Sequence, residues 1–372
     1  MRRLYVLLAL SIFWLTTGYG RAQPSPADSD SFRRITTIAG NGKQAPVMEK
    51  GRALSTALSN PFGVQMERDG SLIIVSFDTH VLYRLEPDFR KLERILGTGA
   101  AGNAGVAGSQ VERVELNSPH EIQIGANGDI YVADTFNHRV GKIAAATGRW
   151  LPVAGDGKQG FSGDGDRAVR AQFDQAYSIA LDGDELFIAD LQNHRIRRVD
   201  LESGMISTVA GTGEKAMPQD GGLAIDQPLA GPRSLAIDDE SLWIVLREGN
   251  SVWRFDRVQK KLLHVAGTGQ KGFSGDGGDA KLATFAGPKG IAVDPDRALY
   301  IADTENHAIR RIDLQDGLIS TIVGKSGKAG FNGDGDQVAE RQLARPHGVF
   351  LLPSGELLIG DSENHRLRLL EH

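Results

Sequence analysis

The sequence predicts an all-β fold, a six-bladed β-propeller of four-stranded antiparallel blades, and three observations carry that prediction. One unit recurs six times, opening at Pro61, Pro119, Ala176, Pro232, Pro288 and Pro346, at spacings of 58, 57, 56, 56 and 58 residues. Each full unit holds four short apolar runs bounded by turn residues, the signature of strands joined by tight connections. The last unit lacks its fourth run, and a spare copy of that run stands near the N terminus. A fixed period of this length points to blades closed into a ring, because one small sheet cannot bury both of its faces alone.

The unit is clearest from Pro288 to Gly324. Gly290-Ile291-Ala292-Val293 ends at an Asp-Pro turn, and Leu299-Tyr300-Ile301-Ala302-Asp303 ends at Thr304-Glu305-Asn306. Ala308 to Asp313 ends at Gln315-Asp316-Gly317, and Leu318 to Val323 enters a glycine-rich segment. The spare run Ile35-Thr36-Thr37-Ile38-Ala39-Gly40 matches the fourth runs Ile206 to Gly211 and Ile319 to Gly324. Pairing it with the unit that ends at His372 joins the two ends of the chain and leaves no open edge.

Residues 1–22 read as an export signal. Arg2 and Arg3 precede an apolar run from Leu4 to Thr17, and Gly20-Arg21-Ala22 offers a small-residue cleavage site. The run is short for a membrane span, which needs about 20 residues. Residues 23–33 are a flexible lead-in and residues 34–372 the propeller. An exported protein, periplasmic or extracellular, is expected, with no membrane span once the signal is removed, and a monomer is expected.

The chain has no cysteine, which excludes thiol catalysis and thiolate metal sites. Its 46 glycines supply the many turns, and 40% hydrophobic with 24% charged residues suits a globular domain. A net charge of −5 without a basic run argues against nucleic acid as partner.

Strands in an antiparallel blade alternate direction, so the connections sort by face. The short turns between first and second strands, such as Asn127-Gly128 and Ser354-Gly355, share one plain face. The opposite face takes the second-to-third turns, the loops of about twenty residues between units, and the start of every innermost strand. Loops of that length without their own secondary structure are uncommon unless they serve a role. A site is expected on this face.

Three features compete there. The Asp-x-x-Asn-His turns at Asp134, Asp190, Asp303 and Asp361 recur around the ring and are expected to be structural, bonding amides of their own turns. Blades one and four carry degenerate versions. The loops containing Gly163-Asp164-Gly165, Gly275-Asp276-Gly277 and Gly333-Asp334-Gly335 suggest calcium, yet they lack the spacing and the closing Glu of an EF-hand. Glycines at positive φ and an anchoring Phe explain them.

The third feature is the residue after each opening position, which varies: Phe62, His120, Tyr177, Arg233, Lys289 and His347. These should surround the mouth of the central channel. The candidate catalytic residues are His120, Glu121, Tyr177, Arg233, Lys289 and His347. His can serve as base or metal ligand, Glu121 can orient it or take a proton, and Arg233 with Lys289 can hold an anion. His120 and His347 are the metal candidates, with calcium or zinc the ion.

The repeat resembles the NHL repeat, a family of six-bladed propellers, across residues 34–372. The long spacers from Gly155 to Phe173 and from Gly267 to Pro288 resemble those of bacterial and teneurin-like members. The resemblance implies the fold, while activities in the family range from binding scaffolds to lyases and lactonase-like hydrolases. Against the peptide-amidating lyase, a six-bladed relative that holds zinc with three histidines, this chain matches His120, His347, Tyr177 and Arg233 but offers no third histidine at that level. Pro346-His347-Gly348 is similar to a segment of streptogramin lyases. The leading expectation is a scaffold for a protein, peptide or carbohydrate ligand, and the alternative a lyase or hydrolase at the channel mouth.

Overall fold

In the computed structural model, residues 32–295 and 297–372 are described, and they form six antiparallel sheets arranged as the blades of a propeller. The export signal and most of the lead-in lie outside the described residues. Blade three shows the common pattern, with strands Ala176–Asp182, Glu185–Asp190, Arg195–Asp200 and Met205–Ala210 in sequential order. Blades one, two and six carry a fifth short strand at the rim, Lys50–Arg52, Ser109–Gln110 and Gly335–Asp336, drawn from the long loops. All six blades keep the four expected strands, and the rim strands are additions to three of them.

Closure occurs as the spare run requires. Arg34–Ala39 pairs antiparallel with Arg366–Glu371, Ile35 opposite Leu370, and supplies the fourth long strand of blade six. The N-terminal and C-terminal strands therefore share a hydrogen-bonded sheet, and no edge is left between the chain ends.

The core is six wedges between neighbouring blades rather than one centre. Alternation along a strand sends successive side chains to opposite faces. In blade one, Leu72 and Ile74 pack toward blade six with Leu358 and Leu367, while Ile73 and Val75 pack toward blade two with Ile122 and Trp150. Each sheet thus buries both faces, which a solitary blade could not do.

In every blade the register shifts between the third and fourth strands. The residue at that irregularity is Tyr83, Gly141, Arg197, Trp253, Arg310 or Arg368. At Gly141 a side chain is impossible, because a Cβ there would stand 2.1 Å from the Trp150 ring that fills the space. At Arg197, Arg310 and Arg368 a guanidinium occupies it, and all three are fully buried.

Candidate functional site

The loop-rich face is held by a repeated set of polar stitches. The sequence suggested that the Asp of each intact turn bonds amides of its own turn; instead the bond it takes there is from the side chain of the turn's Asn, at 2.8–3.0 Å. It accepts from an amide some seventeen residues upstream: Asp134 from Asn117 at 2.7 Å, Asp303 from Ala286 and Asp361 from Ala344 at 2.8 Å. The Asn donates to a loop carbonyl, Asn137 to Gly102 at 2.6 Å and Asn306 to Gly272 at 2.7 Å. Asp and Asn therefore pin the long loop to the turn.

The His reaches the next blade. His138, His307 and His365 sit at φ near +50°, and Nδ1 of each accepts the amide of the residue before the next unit's opening position, Gln175, Arg345 and Asn60 at 3.1–3.2 Å. In blade four Asn250 does the same work, accepting from Gly287 at 2.9 Å. Burial lowers the proton affinity of His307 and His365, which keeps Nδ1 free to accept.

The Gly-Asp-Gly loops are committed to arginine. Arg197 lies between Asp190 (3.5 Å) and Asp164 (2.7 Å), Arg310 between Asp303 (3.4 Å) and Asp276 (2.9 Å), and Arg368 between Asp361 (3.1 Å) and Asp334 (3.0 Å). Phe161, Phe273 and Phe331 lie against these guanidinium groups at 4.9–5.2 Å. Sequence reasoning missed these arginines. The signal was available, since only the three repeats with a Gly-Asp-Gly loop also carry Arg at the third-strand irregularity.

At the channel mouth the variable residues interlock. His347 stacks on Phe62 at 3.9 Å, Phe62 lies 5.1 Å from His120, His120 meets Tyr177 at 3.8 Å, and Arg233 covers the Tyr177 ring at 3.7 Å. Phe77 packs on both Phe62 and His120. Lys289 completes the circle and donates to Glu305 at 2.9 Å. Four of the six, Phe62, His120, Arg233 and Lys289, are less than a tenth exposed, so the ring is a plug rather than an open mouth.

The plug is divided by chemistry. Blades one to three supply Phe62, Phe77, His120, Phe136 and Tyr177, and His347 of blade six stacks on their edge at Phe62. Blades four to six supply Arg233, Arg247, Lys289 and Arg345, faced by Glu248, Glu305 and Glu363. Arg345 and Lys289 share Glu305, and Arg345 also reaches Glu363 at 3.0 Å. Those bonds hold the Glu305 carboxyl down at about 2.

Both candidate imidazoles are held through Nδ1. His120 bonds the Ser118 carbonyl and Thr135 Oγ1, each at 2.9 Å, and His347 bonds the Arg345 carbonyl at 2.9 Å and Ser362 Oγ at 3.1 Å. Thr135 and Ser362 spend their own protons on carbonyls of the next blade, Ala176 and Pro61. Nδ1 therefore carries the hydrogen and Nε2 is the free lone pair. Burial, helped by the positive charge of Arg233 and Lys289, keeps both imidazoles neutral far below their usual range.

Beneath the plug the next positions of the innermost strands are Gly63, Glu121, Ser178, Ser234, Gly290 and Gly348. Three glycines let adjacent blades meet: a Cβ at Gly348 would stand 1.9 Å from the Phe62 carbonyl. Glu121 occupies the space they leave, and its carboxyl, accepting only from the Ile122 amide at 3.3 Å, is pushed up to about 7 by burial. It lines a cavity of about 210 Å³ in the channel, with Gln65 and Gln123 beside it and Leu235, Ile291, Val349 and Phe350 among the apolar wall.

The donor set does not fit a metal. Phe62 stands beside both imidazoles, and no group of three His, Asp or Glu that could hold an ion exists among the described residues. Zinc in catalytic sites takes three protein ligands. Calcium at the Gly-Asp-Gly loops would compete with arginines already bonded to the carboxylates.

These features define a six-bladed propeller with a stitched loop face and a plugged channel. The chain is similar to NHL-repeat proteins: the NHL repeat matches residues 116–143 and 343–368, and the teneurin NHL domain matches residues 250–332. It is 28% identical over 283 residues to NHL repeat-containing protein 2 of Gallus gallus, covering 68% of this chain and 38% of that protein. To teneurin-3 of Danio rerio it is 27% identical, covering 91% of this chain and 13% of that one. The matches span well under two thirds of those relatives. Among solved structures, a Bacteroides thetaiotaomicron protein of unknown function aligns with TM-score 0.67 and 18% identity over 91% of this chain and 76% of the other. An auxiliary nutrient binding protein from the same organism aligns at 0.64 and 16%, with the same coverage. A gluconolactonase from Xanthomonas campestris aligns at 0.58 and 11%, over 92% and 95%. No helix among the described residues is long and apolar enough to cross a membrane.

Proposed function

We propose that this is an exported binding propeller that takes a protein, peptide or carbohydrate ligand at the centre of its loop-rich face. The observation that carries the reading is the closed plug. Its imidazoles are neutral, anchored and separated by packed aromatic rings, so no base and nucleophile converge on an open reacting position. What faces outward is suited to recognition. Phe136 is about one third exposed beside the plug, and Phe161, Phe273 and Phe331, held over arginines, are exposed to a similar degree. Rigid aromatic surface on an ordered frame binds at low entropic cost.

The test is a panel of immobilised glycans and peptides probed with the parent and with Phe136→Ser. The reading expects a ligand whose retention falls in Phe136→Ser and not in Arg68→Ala on the opposite face. Equal loss from both faces, or no retained ligand, would overturn it.

A lyase or hydrolase at the mouth is the second reading, favoured by one observation: Glu121, with its carboxyl near 7, stands next in sequence to His120 at the head of a cavity. That reading expects Glu121→Gln to abolish turnover of a lactone or an ester-linked substrate. Turnover unchanged by the substitution would remove it.

A further inference from the structure

Among the described residues the buried cations Arg197, Lys289, Arg310 and Arg368 each have a carboxylate within ion-pair distance, and the exception is at the mouth. Arg233 is 5% exposed, yet no carboxylate of the described residues lies within ion-pair distance and no hydrogen bond reaches its guanidinium. Its guanidinium lies over the Tyr177 ring at 3.7 Å, which satisfies a face and none of its N–H groups. A buried guanidinium has five donors and is costly when left unmatched. Nor is it sealed in: the unpartnered nitrogens fully cut off from solvent belong to residues such as Trp150, His194 and Arg310, and not to Arg233.

The surroundings reinforce the sign. Arg247 and Lys289 both bear on Arg233 and on His120 electrostatically. Glu121 and Glu248 attract Arg233 from beyond ion-pair distance, but Glu305 is already shared by Lys289 and Arg345, Glu248 Oε1 accepts from Arg247 at 3.4 Å, and Glu121 is raised toward neutrality. The cause is traceable to the fourth repeat. Where blades two, five and six have Asp134-Thr135, Asp303-Thr304 and Asp361-Ser362, blade four reads Leu246-Arg247, so both the buried carboxylate and the hydroxyl stitch are missing and a cation stands in their place.

We propose that Arg233, with Arg247 and Lys289 beside it, receives the carboxylate of a ligand whose ring rests on the Phe136 and Tyr177 side of the mouth. This rests on the binding reading and specifies the ligand's chemistry. A carboxylate matches a guanidinium edge through two parallel hydrogen bonds, which the neutral analogue cannot make. A sugar acid and an aromatic acid both carry that pair of features, and the test separates them.

The experiment is calorimetric titration of the purified protein with methyl glucuronide and with phenylacetate, each against its neutral counterpart, methyl glucoside and phenylacetamide. At least one acid should bind about tenfold or more tightly than its neutral partner, corresponding to one charge-assisted contact. In Arg233→Met that preference should vanish, while the melting temperature stays equal to or above the parent. Arg247→Gln, a change at a half-exposed position, should weaken the same acid less. The proposal is overturned if neither acid binds, if neutral and acidic probes bind alike, or if Arg233→Met keeps the preference. A ligand from the glycan and peptide panel that binds parent and Arg233→Met equally would sink the carboxylate assignment and leave the binding reading standing.

Discussion

Arg310 and Arg233 are both buried arginines in the same ring, and they differ in everything that surrounds the charge. Arg310 has Asp303 on one side and Asp276 on the other, with Phe273 and Phe285 against its guanidinium. Arg233 has one phenol ring and no carboxylate. The first is built from residues that recur in three repeats, the second from one of the two repeats that depart from the Asp-x-x-Asn-His turn. In a repeat protein, a charge compensated by the repeat itself is architecture, while a charge left open by a departure from the repeat is available to something else.

The architecture can be broken first. Deleting residues 34–40 removes the strand that completes blade six and exposes the Arg366–Glu371 edge. The expected loss is several kcal/mol, more than about 10 °C in melting temperature for a chain of this size. An unchanged melting temperature would show that closure does not depend on that strand. Next comes the contrast itself. Arg310→Met strands two carboxylates, one of them fully buried, and should cost about 3–5 kcal/mol, whereas Arg233→Met should be neutral or stabilising. Equal losses in chemical denaturation would erase the distinction between the two arginines.

The third prediction concerns pH. Folding raises the Glu121 carboxyl from its ordinary value near 4.5 to about 7. Its folded value lies above its unfolded one, so its contribution to stability is present below about pH 4.5 and is lost as pH rises through 7. Glu121→Gln should therefore gain on the parent between pH 5 and 8, by at most about 3 kcal/mol. A gap that does not widen with pH would place Glu121 in a wetter site than the cavity wall. The smallest effect belongs to the stitches. The His307 imidazole is lowered by burial, so its contribution is present above about pH 6.5 and fades as pH falls. His307→Asn, which copies Asn250, should keep the stitch and flatten that acid loss by about 1 kcal/mol or less. Thermal scans at pH 5 and 8 would show it.

Much of this molecule was legible as sequence. Spacing fixed six blades, and the unpaired run at Ile35 identified the closing strand, because hydrophobic period and turn chemistry are local properties of the chain. The candidate residues at the mouth were also legible, since position within a repeat tells where each side chain stands relative to the ring. Their relations were not. Whether His120 and His347 converge depends on Phe62 from a blade between them, and whether Arg233 is paired depends on turns 15 residues or more away in sequence. The Asp-x-x-Asn-His turns show the same division. Their recurrence announced a structural role, but their partners, an upstream loop amide and the next blade's entry, exist only once the ring has closed. The sequence alone determined the number of blades, their order and the side chains offered to the axis. The tertiary structure decided which charges meet a partner, because compensation requires groups from neighbouring blades to lie within about 4 Å, a distance that no repeat unit controls by itself.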